Sequence, residues 1–474
     1  MLKVPFPLIL SFIGILIALA VGVSFLFPES IFPILIGAGF VLGLSSAVLR
    51  KPEIGVLALL FFLPFERLPT ATLFNYTVKL NHAVGFLTLF AWGMHLLLGR
   101  THFTRPRTFP WGLVLTVALG VSTYFAQNRE RAIAVFFFIV FAQLLGQAVF
   151  HLMQNKVIVR SALRILIVSS AVTVIYALFQ FAGDMVGLPS QITGLDPGYT
   201  HAVFGFPRVH AFSKEPLYFA NYLFIPLGIF TGLILNRVNF GAPKGFGVLY
   251  IAMILTFFLT LSRGAFVGAA MFLIVLSILA ARRIFTTKIL LATFWGIAIT
   301  LGLFVGIFSQ AGENSLERFV SHATISDYRV TRSGESVFGR LKAYGQAVEG
   351  WQTSPVIGIG PGNFGAYVEG YPDESPATGW DIVNNQYLEL LAEGGLVSLG
   401  AFLLFIIVMF ARALRAYRFE TDSLRRGLLV GLIAASAAVL VQLNFFSTLY
   451  IIHIWVLFGL LGAITTWSLR ETQH

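Results

Sequence analysis

Chemistry in this 474-residue chain falls to a few cations and polar groups set between long apolar runs. Arg263 lies in Leu261-Ser262-Arg263-Gly264, which separates two such runs by almost nothing. A cation fixed at a membrane edge costs solvation energy, and an anionic partner offsets that cost. The plain alternative is an interfacial anchor whose head snorkels to lipid headgroups. Arg208, His210 and Glu215 occur together in Pro207-Arg208-Val209-His210-Ala211-Phe212-Ser213-Lys214-Glu215-Pro216, just ahead of another run. Pro216 suits a first helical turn, so Glu215 falls at the positive end of a helix, a comfortable place for a carboxylate. The chemical reading makes Glu215 a general base within reach of Arg208 and Arg263. For Arg208 and Arg340, a structural ion pair stands beside the anion-binding reading.

Arg340 belongs to a long polar interruption, Gly312 to Gly395, which the rest of the chain is built to hold over a membrane surface, facing a charged, lipid-borne substrate. The segment Ser336 to Trp351 predicts an amphipathic helix with Val337, Leu341, Tyr344, Val348 and Trp351 near one face, and with Arg340 and Lys342 off it. A Pro-Gly turn follows at 355–364, whose glycines 358, 360 and 362 permit positive φ or close backbone approach. It lacks the Walker lysine and the strand–turn–helix context of a nucleotide loop. Trp380-Asp381-Ile382-Val383-Asn384-Asn385 then leads into a helix that Asn384 or Asn385 could cap. Arg318, Arg329 and Arg332 add further cations to this interruption. Among the dispersed histidines, His201 and His210 lie near Arg208, while His95 and His453 fall in or near spans and are expected to be satisfied by neighbours. No metal-spaced cluster, no Asp-x-Asp pair and no Ser-His-Asp set is evident, so neither metal nor cofactor is expected.

The elements that must position these residues are transmembrane helices. Hydrophobic residues make up 57% of the chain, charged residues only 11%, and mean hydropathy is +0.84. A soluble domain cannot hide that much apolar surface. Spans are expected near 5–27, 30–49, 54–65, 81–98, 110–126, 132–153, 162–182, 216–235, 246–262, 264–281, 289–309, 394–411, 427–444 and 448–468. The fold class is therefore an all-α polytopic membrane protein of about 12–14 helices with a large helical loop. The first run is too long for a signal peptide and has no small-residue cleavage site. Cysteine is absent, which removes thiolate chemistry. The net charge of +11 is spread over short loops, a topology signal rather than a nucleic-acid patch. About 20 of the 32 Lys and Arg lie on one set of loops, which the positive-inside rule makes cytoplasmic along with both termini. The loops 183–215 and 310–393 then face outward, dividing the chain into helices 1–182, a first outer loop 183–215, central helices 216–309, the large loop 310–393 and C-terminal helices 394–474.

Four blocks resemble the O-antigen ligase and polymerase family of bacterial membrane glycosyltransferases. They are Leu261-Ser262-Arg263-Gly264, Gly339-Arg340-Leu341 with the turn Pro355 to Phe364, Asn384-Asn385-Gln386-Tyr387-Leu388 with Glu393-Gly394-Gly395-Leu396, and Arg208 through Asn221. The resemblance implies a GT-C-like fold in the inner membrane with its active site facing the periplasm. It also implies an undecaprenyl-pyrophosphate-linked glycan donor and a glycan or lipid-linked acceptor, with membrane lipid and a chain-length regulator as further partners and no nucleic acid. Arg263 and Arg340 would bind the pyrophosphate, and an acceptor hydroxyl would attack the anomeric carbon with inversion. Arg208, His210, Asn385 and Tyr387 would contribute to substrate binding. Ligases of this family carry a histidine where this chain has Asn384, and asparagine cannot take a proton at a useful pKa. Glu215 is expected to serve as base, and the departure favours a polymerase of repeat units over a ligase to lipid A core. A flippase is less favoured because the polar residues concentrate in one outer loop rather than at mid-membrane. A structural membrane subunit would tolerate loss of Arg263 and Arg340.

Overall fold

The computed structural model describes residues 32–67, 70–73, 76–200, 206–284, 337–372, 376 and 380–471. The helices are α1 (Phe32–Arg50), α2 (Pro52–Phe62), α3 (Leu80–Leu97), α4 (Phe109–Phe125), α5 (Arg129–Leu152), α6 (Lys156–Met185) and the short α7 (Ser190–Thr193). They continue with α8 (Pro216–Leu235), α9 (Phe246–Leu259), α10 (Arg263–Ile284), α11 (Val337–Thr353), the short α12 (Phe364–Val368), α13 (Gln386–Phe419), α14 (Ser423–Gln442) and α15 (Ile452–Glu471). A small antiparallel hairpin, Thr70–Leu73 with Tyr76–Lys79, precedes α3 and pairs Thr70 with Lys79.

Among the described residues, eight helices are long and apolar enough to cross a membrane, and four shorter apolar helices accompany them. Twelve of the expected spans coincide with described helices; those at 5–27 and 289–309 lie outside the described residues, as do Arg318, Arg329, Arg332 and His201. The chain is an all-α polytopic membrane protein. Its solvation pattern fits that reading. Leu97 is 84% exposed, Val248 73% and Ile278 72%, whereas Gln180, Asn221 and Gln442 are fully buried. Lipid accepts the aliphatic side chains, and the polar ones find partners inside.

With hydrocarbon outside, close backbone approach replaces hydrophobic exclusion as the glue between helices. Gly228 and Gly232 of α8 meet Gly427 and Gly431 of α14, so that a Cβ at position 228 would stand 2.6 Å from the Gly431 carbonyl oxygen. Gly146 of α5 packs in the same way on α15, where a Cβ would lie 2.7 Å from the Trp455 carbonyl oxygen. These crossings make α8, α14, α15 and α5 the rigid centre of the bundle.

Helix α13 is not one rod. At Gly395, with φ 68° and ψ −173°, the chain leaves helical geometry, a conformation essentially restricted to glycine. The break separates a nine-residue stub, 386–394, from the apolar segment that follows. The stub packs against the turn 355–364: the Ile359 and Gly360 N–H groups donate to the carbonyls of Ala392 and Glu393 at 3.0 and 2.9 Å.

Candidate active site

The corner between α14 and α15, residues 443–451, gathers four of the segments singled out in the sequence. Gly264, next to Arg263, lies against Phe445, where a Cβ would touch that side chain at 3.0 Å. Tyr344, one turn beyond Arg340, donates its hydroxyl to the Asn444 carbonyl at 3.3 Å. Gln386, two residues beyond Asn384, donates its N–H to the Leu443 carbonyl at 2.8 Å. Its side-chain carbonyl accepts the N–H groups of Thr448 and Leu449 at 2.5 and 2.6 Å. Tyr218, one turn beyond Glu215, places its ring 5.6 Å from that of Phe446. Four stretches from distant parts of the chain thus converge on four successive residues, Leu443 to Phe446.

Arg263 opens α10 and is exposed. Arg208 donates from Nε to the Thr260 carbonyl at 3.3 Å, three residues before Arg263, and lies 5.5 Å from the centre of the Tyr199 ring. The two cations are therefore carried on one loop junction. Glu215 stands at the N-cap of α8, half-buried and without a side-chain cap bond, and its charge acts on Tyr218 and Tyr450.

Helix α11 spans Val337–Thr353, as the periodicity predicts, but its packed face is only partly the expected one. Leu341 is 61% exposed, whereas Ala347 is buried with Phe364, Val383 and Ala392, and Ala343 and Tyr344 pack against that cluster. Arg340 precedes these positions by three, four and seven residues, so it belongs to the face turned to the bundle rather than away from it. Small side chains are what allow the helix to sit down on the loop. Of the face expected from the largest apolar residues, Tyr344 packs inward and Leu341 does not.

Asn384 has φ 58°, the left-handed region that asparagine tolerates better than most residues. Asn385 is the N-cap of α13, its side-chain oxygen accepting the N–H groups of Tyr387 and Leu388 at 3.0 and 3.1 Å. Tyr387 donates its hydroxyl to the Leu440 carbonyl of α14 at 2.8 Å. His210 is fully buried, and its Nε2 receives an Arg67 N–H at 3.2 Å and the Asp196 backbone N–H at 3.2 Å. Burial, with the Arg67 charge adding to it, pushes His210 down to about 4. The imidazole is neutral at physiological pH and holds two loops together as an acceptor.

The partners of several residues in this region escape sequence reasoning. Glu66, fully enclosed, faces His453 Nδ1 at 3.2 Å, His453 Nε2 meets Asn221 at 2.6 Å, and Asn221 donates to Gln442 at 2.6 Å. Burial alone would raise Glu66, but the hydrogen bond and charge of His453 outweigh it and hold the carboxyl below its ordinary value. This polar chain crosses four segments beneath the corner. Glu393 accepts the N–H groups of Gly362 and Phe364, and Arg131 donates to the Gly362 carbonyl while lying 5.5 Å from the Trp380 ring centre. The detectable signal was the presence of Asn221, Gln442 and Arg131 inside or at the rim of apolar runs. Among the described residues, no three His, Asp or Glu side chains gather as a metal site would require.

The arrangement has cations and a carboxylate on segments that share one corner, with polar backbone around them. Residues 248–403 match the family model described as O-antigen ligase. The match includes Arg263, Arg340 and Asn384, covers about a third of the chain, and leaves Glu215 and the corner 443–451 outside. No curated protein matches the chain. Over residues 248–403 the chain is thus similar to the O-antigen ligase/polymerase family of membrane glycosyltransferases.

Proposed function

We propose that the protein polymerises oligosaccharide repeat units carried on undecaprenyl pyrophosphate, on the periplasmic side of the inner membrane. The observation that carries this reading is the convergence of the segments bearing Glu215, Arg263, Arg340 and Asn384 on residues 443–446. The guanidinium groups of Arg263 and Arg340 grip the pyrophosphate oxygens and stabilise the charge that grows on them as the sugar departs. Glu215 takes the proton of an acceptor hydroxyl while its oxygen bonds to the anomeric carbon. The bond from that carbon to pyrophosphate breaks, and undecaprenyl pyrophosphate leaves with the electron pair, inverting the configuration. Asn384 positions the acceptor. The outward loops 183–215 and 310–393 form the catalytic face, with both termini in the cytoplasm and the helical blocks 1–182, 216–309 and 394–474 as scaffold.

The test is to supply purified protein with a lipid-linked repeat unit alone. Growth of longer lipid-linked glycans is expected without any added acceptor. Transfer only after lipid A core is added would instead make the protein a ligase, the activity named in the matching family's description.

A further inference from the structure

We infer that an arginine-lined recess at the opposite end of the bundle binds the phosphate headgroup of an anionic membrane lipid. The recess has a volume of about 970 Å³ and is lined by Arg105, Arg107, Arg412, Arg415, Arg425 and Arg470. Its distance from the corner follows from the helices themselves. Arg412 lies seventeen residues beyond the Gly395 break of α13, roughly 25 Å along the axis. Arg107 precedes α4, whose other end reaches the corner region through the bond from Ser122 to the Glu393 carbonyl.

Among the described residues lining the recess the carboxylate is Glu471, and it is engaged: it pairs with Arg425 and accepts the Trp467 ring N–H at 2.9 Å. Glu420, close by, is held by the same Arg425 at 2.7 Å. Arg412 is left in the field of two like charges, Arg107 and Arg415. Guanidinium groups crowded without a carboxylate between them repel one another, and a multivalent oxyanion relieves that repulsion through forked hydrogen bonds.

A second feature selects a lipid over a free ion. Phe419 and Leu469 line the same recess beside the arginines, and Phe419 is 55% exposed. Cations with apolar side chains beside them match a molecule with a phosphate at one end and hydrocarbon at the other. Basic pockets between transmembrane helices recognise phospholipid headgroups by this combination. The site is independent of the transfer chemistry, since none of its residues belongs to the corner.

The experiment reconstitutes the full chain in nanodiscs containing equal amounts of phosphatidylglycerol and phosphatidylcholine, extracts it gently in detergent, and measures co-purifying lipid by mass spectrometry. Wild type is expected to retain the anionic lipid in excess over the neutral one, on the order of tenfold, the scale of two basic side chains at an anionic headgroup. The pair R107Q/R412Q should lose that excess, and R418Q, whose arginine lies outside the recess, should keep it. Equal retention of the two lipids by wild type, or an unchanged excess in R107Q/R412Q with a wild-type melting temperature, overturns the assignment. Millimolar inorganic phosphate should leave the bound lipid in place; complete displacement would make the site one for free phosphate and overturn the lipid reading.

Discussion

Glu393 accepts the backbone N–H of Gly362 at 2.7 Å, and its second oxygen takes that of Phe364 at 3.0 Å. One carboxyl group thereby fixes the turn between α11 and α12 to the stub of α13. Burial, with the neighbouring Glu389 adding to it, pushes this carboxyl up to about 8, so at neutral pH it accepts as a protonated acid and each bond contributes about 0.5–1.5 kcal/mol net. Glu393→Ala should destabilise the protein by about 2 kcal/mol, with Glu393→Gln less harmful because a neutral amide keeps one acceptor in place. Thermal unfolding in detergent measures the difference.

The proposed chemistry makes a separate demand. Arg263→Ala and Arg340→Ala should each lower turnover about 100-fold or more, the scale of losing one oxyanion donor, while leaving the melting temperature near wild type. Glu215→Gln should depress kcat rather than raise KM. Wild-type turnover in a folded Glu215→Gln protein would remove that residue from the base role.

Asn384 offers a clean separation of backbone from side chain. Its φ of 58° is costly for alanine and free for glycine. Asn384→Gly should fold normally, so any fall in transfer rate reports the amide group itself. If Asn384→Gly and wild type turn over alike, while Asn384→Ala melts earlier, the residue is present for its backbone conformation. Tyr387 provides the comparison: Tyr387→Phe should lose about 1 kcal/mol with the bond to Leu440, and little activity.

His210 makes stability depend on pH. Its folded value of about 4 lies below the ordinary 6.5. Between those values the unfolded chain binds a proton that the folded protein does not. Stability is thus fully present above pH 6.5 and declines as the pH falls toward 4, by on the order of 3 kcal/mol. Melting temperatures taken across that window should drop for wild type and flatten for His210→Gln.

Gly431 sits where α14 touches the backbone of α8. A methyl group there must push the helices apart, because the atom it meets is the Gly228 carbonyl rather than a flexible side chain. Gly431→Ala should cost about 3 kcal/mol or prevent folding. Gly39→Ala, at a position with nothing within 4 Å, should be neutral by the same assay.

Much of the fold was legible because membrane spans announce themselves by length and apolarity, which survive without knowledge of any neighbour. Arg263, Glu215 and Asn385 could likewise be placed at helix ends from local signals, Pro216 and the asparagine cap among them. What stayed hidden was pairwise. Nothing local connects Glu66 to His453, 387 residues apart, or shows that residues 443–446 receive the loops. The packed side of α11 was only partly read, through Tyr344, because Ala343 and Ala347 fit a narrow space that only the folded loop defines. Near Arg208 and His210, the sequence shows exposed-looking polar residues, whereas the fold commits His210 to Arg67 and Asp196.

The break at Gly395 also decides how the protein answers to bilayers of different thickness. The part of α13 after it, 396–419, measures about 36 Å, longer than a hydrocarbon core of roughly 30 Å, and can tilt to fit. The stub before it is clamped to the 355–364 turn by backbone hydrogen bonds. A thinner or thicker membrane is therefore accommodated below the glycine, and the height of the stub is set by the protein rather than by the lipid.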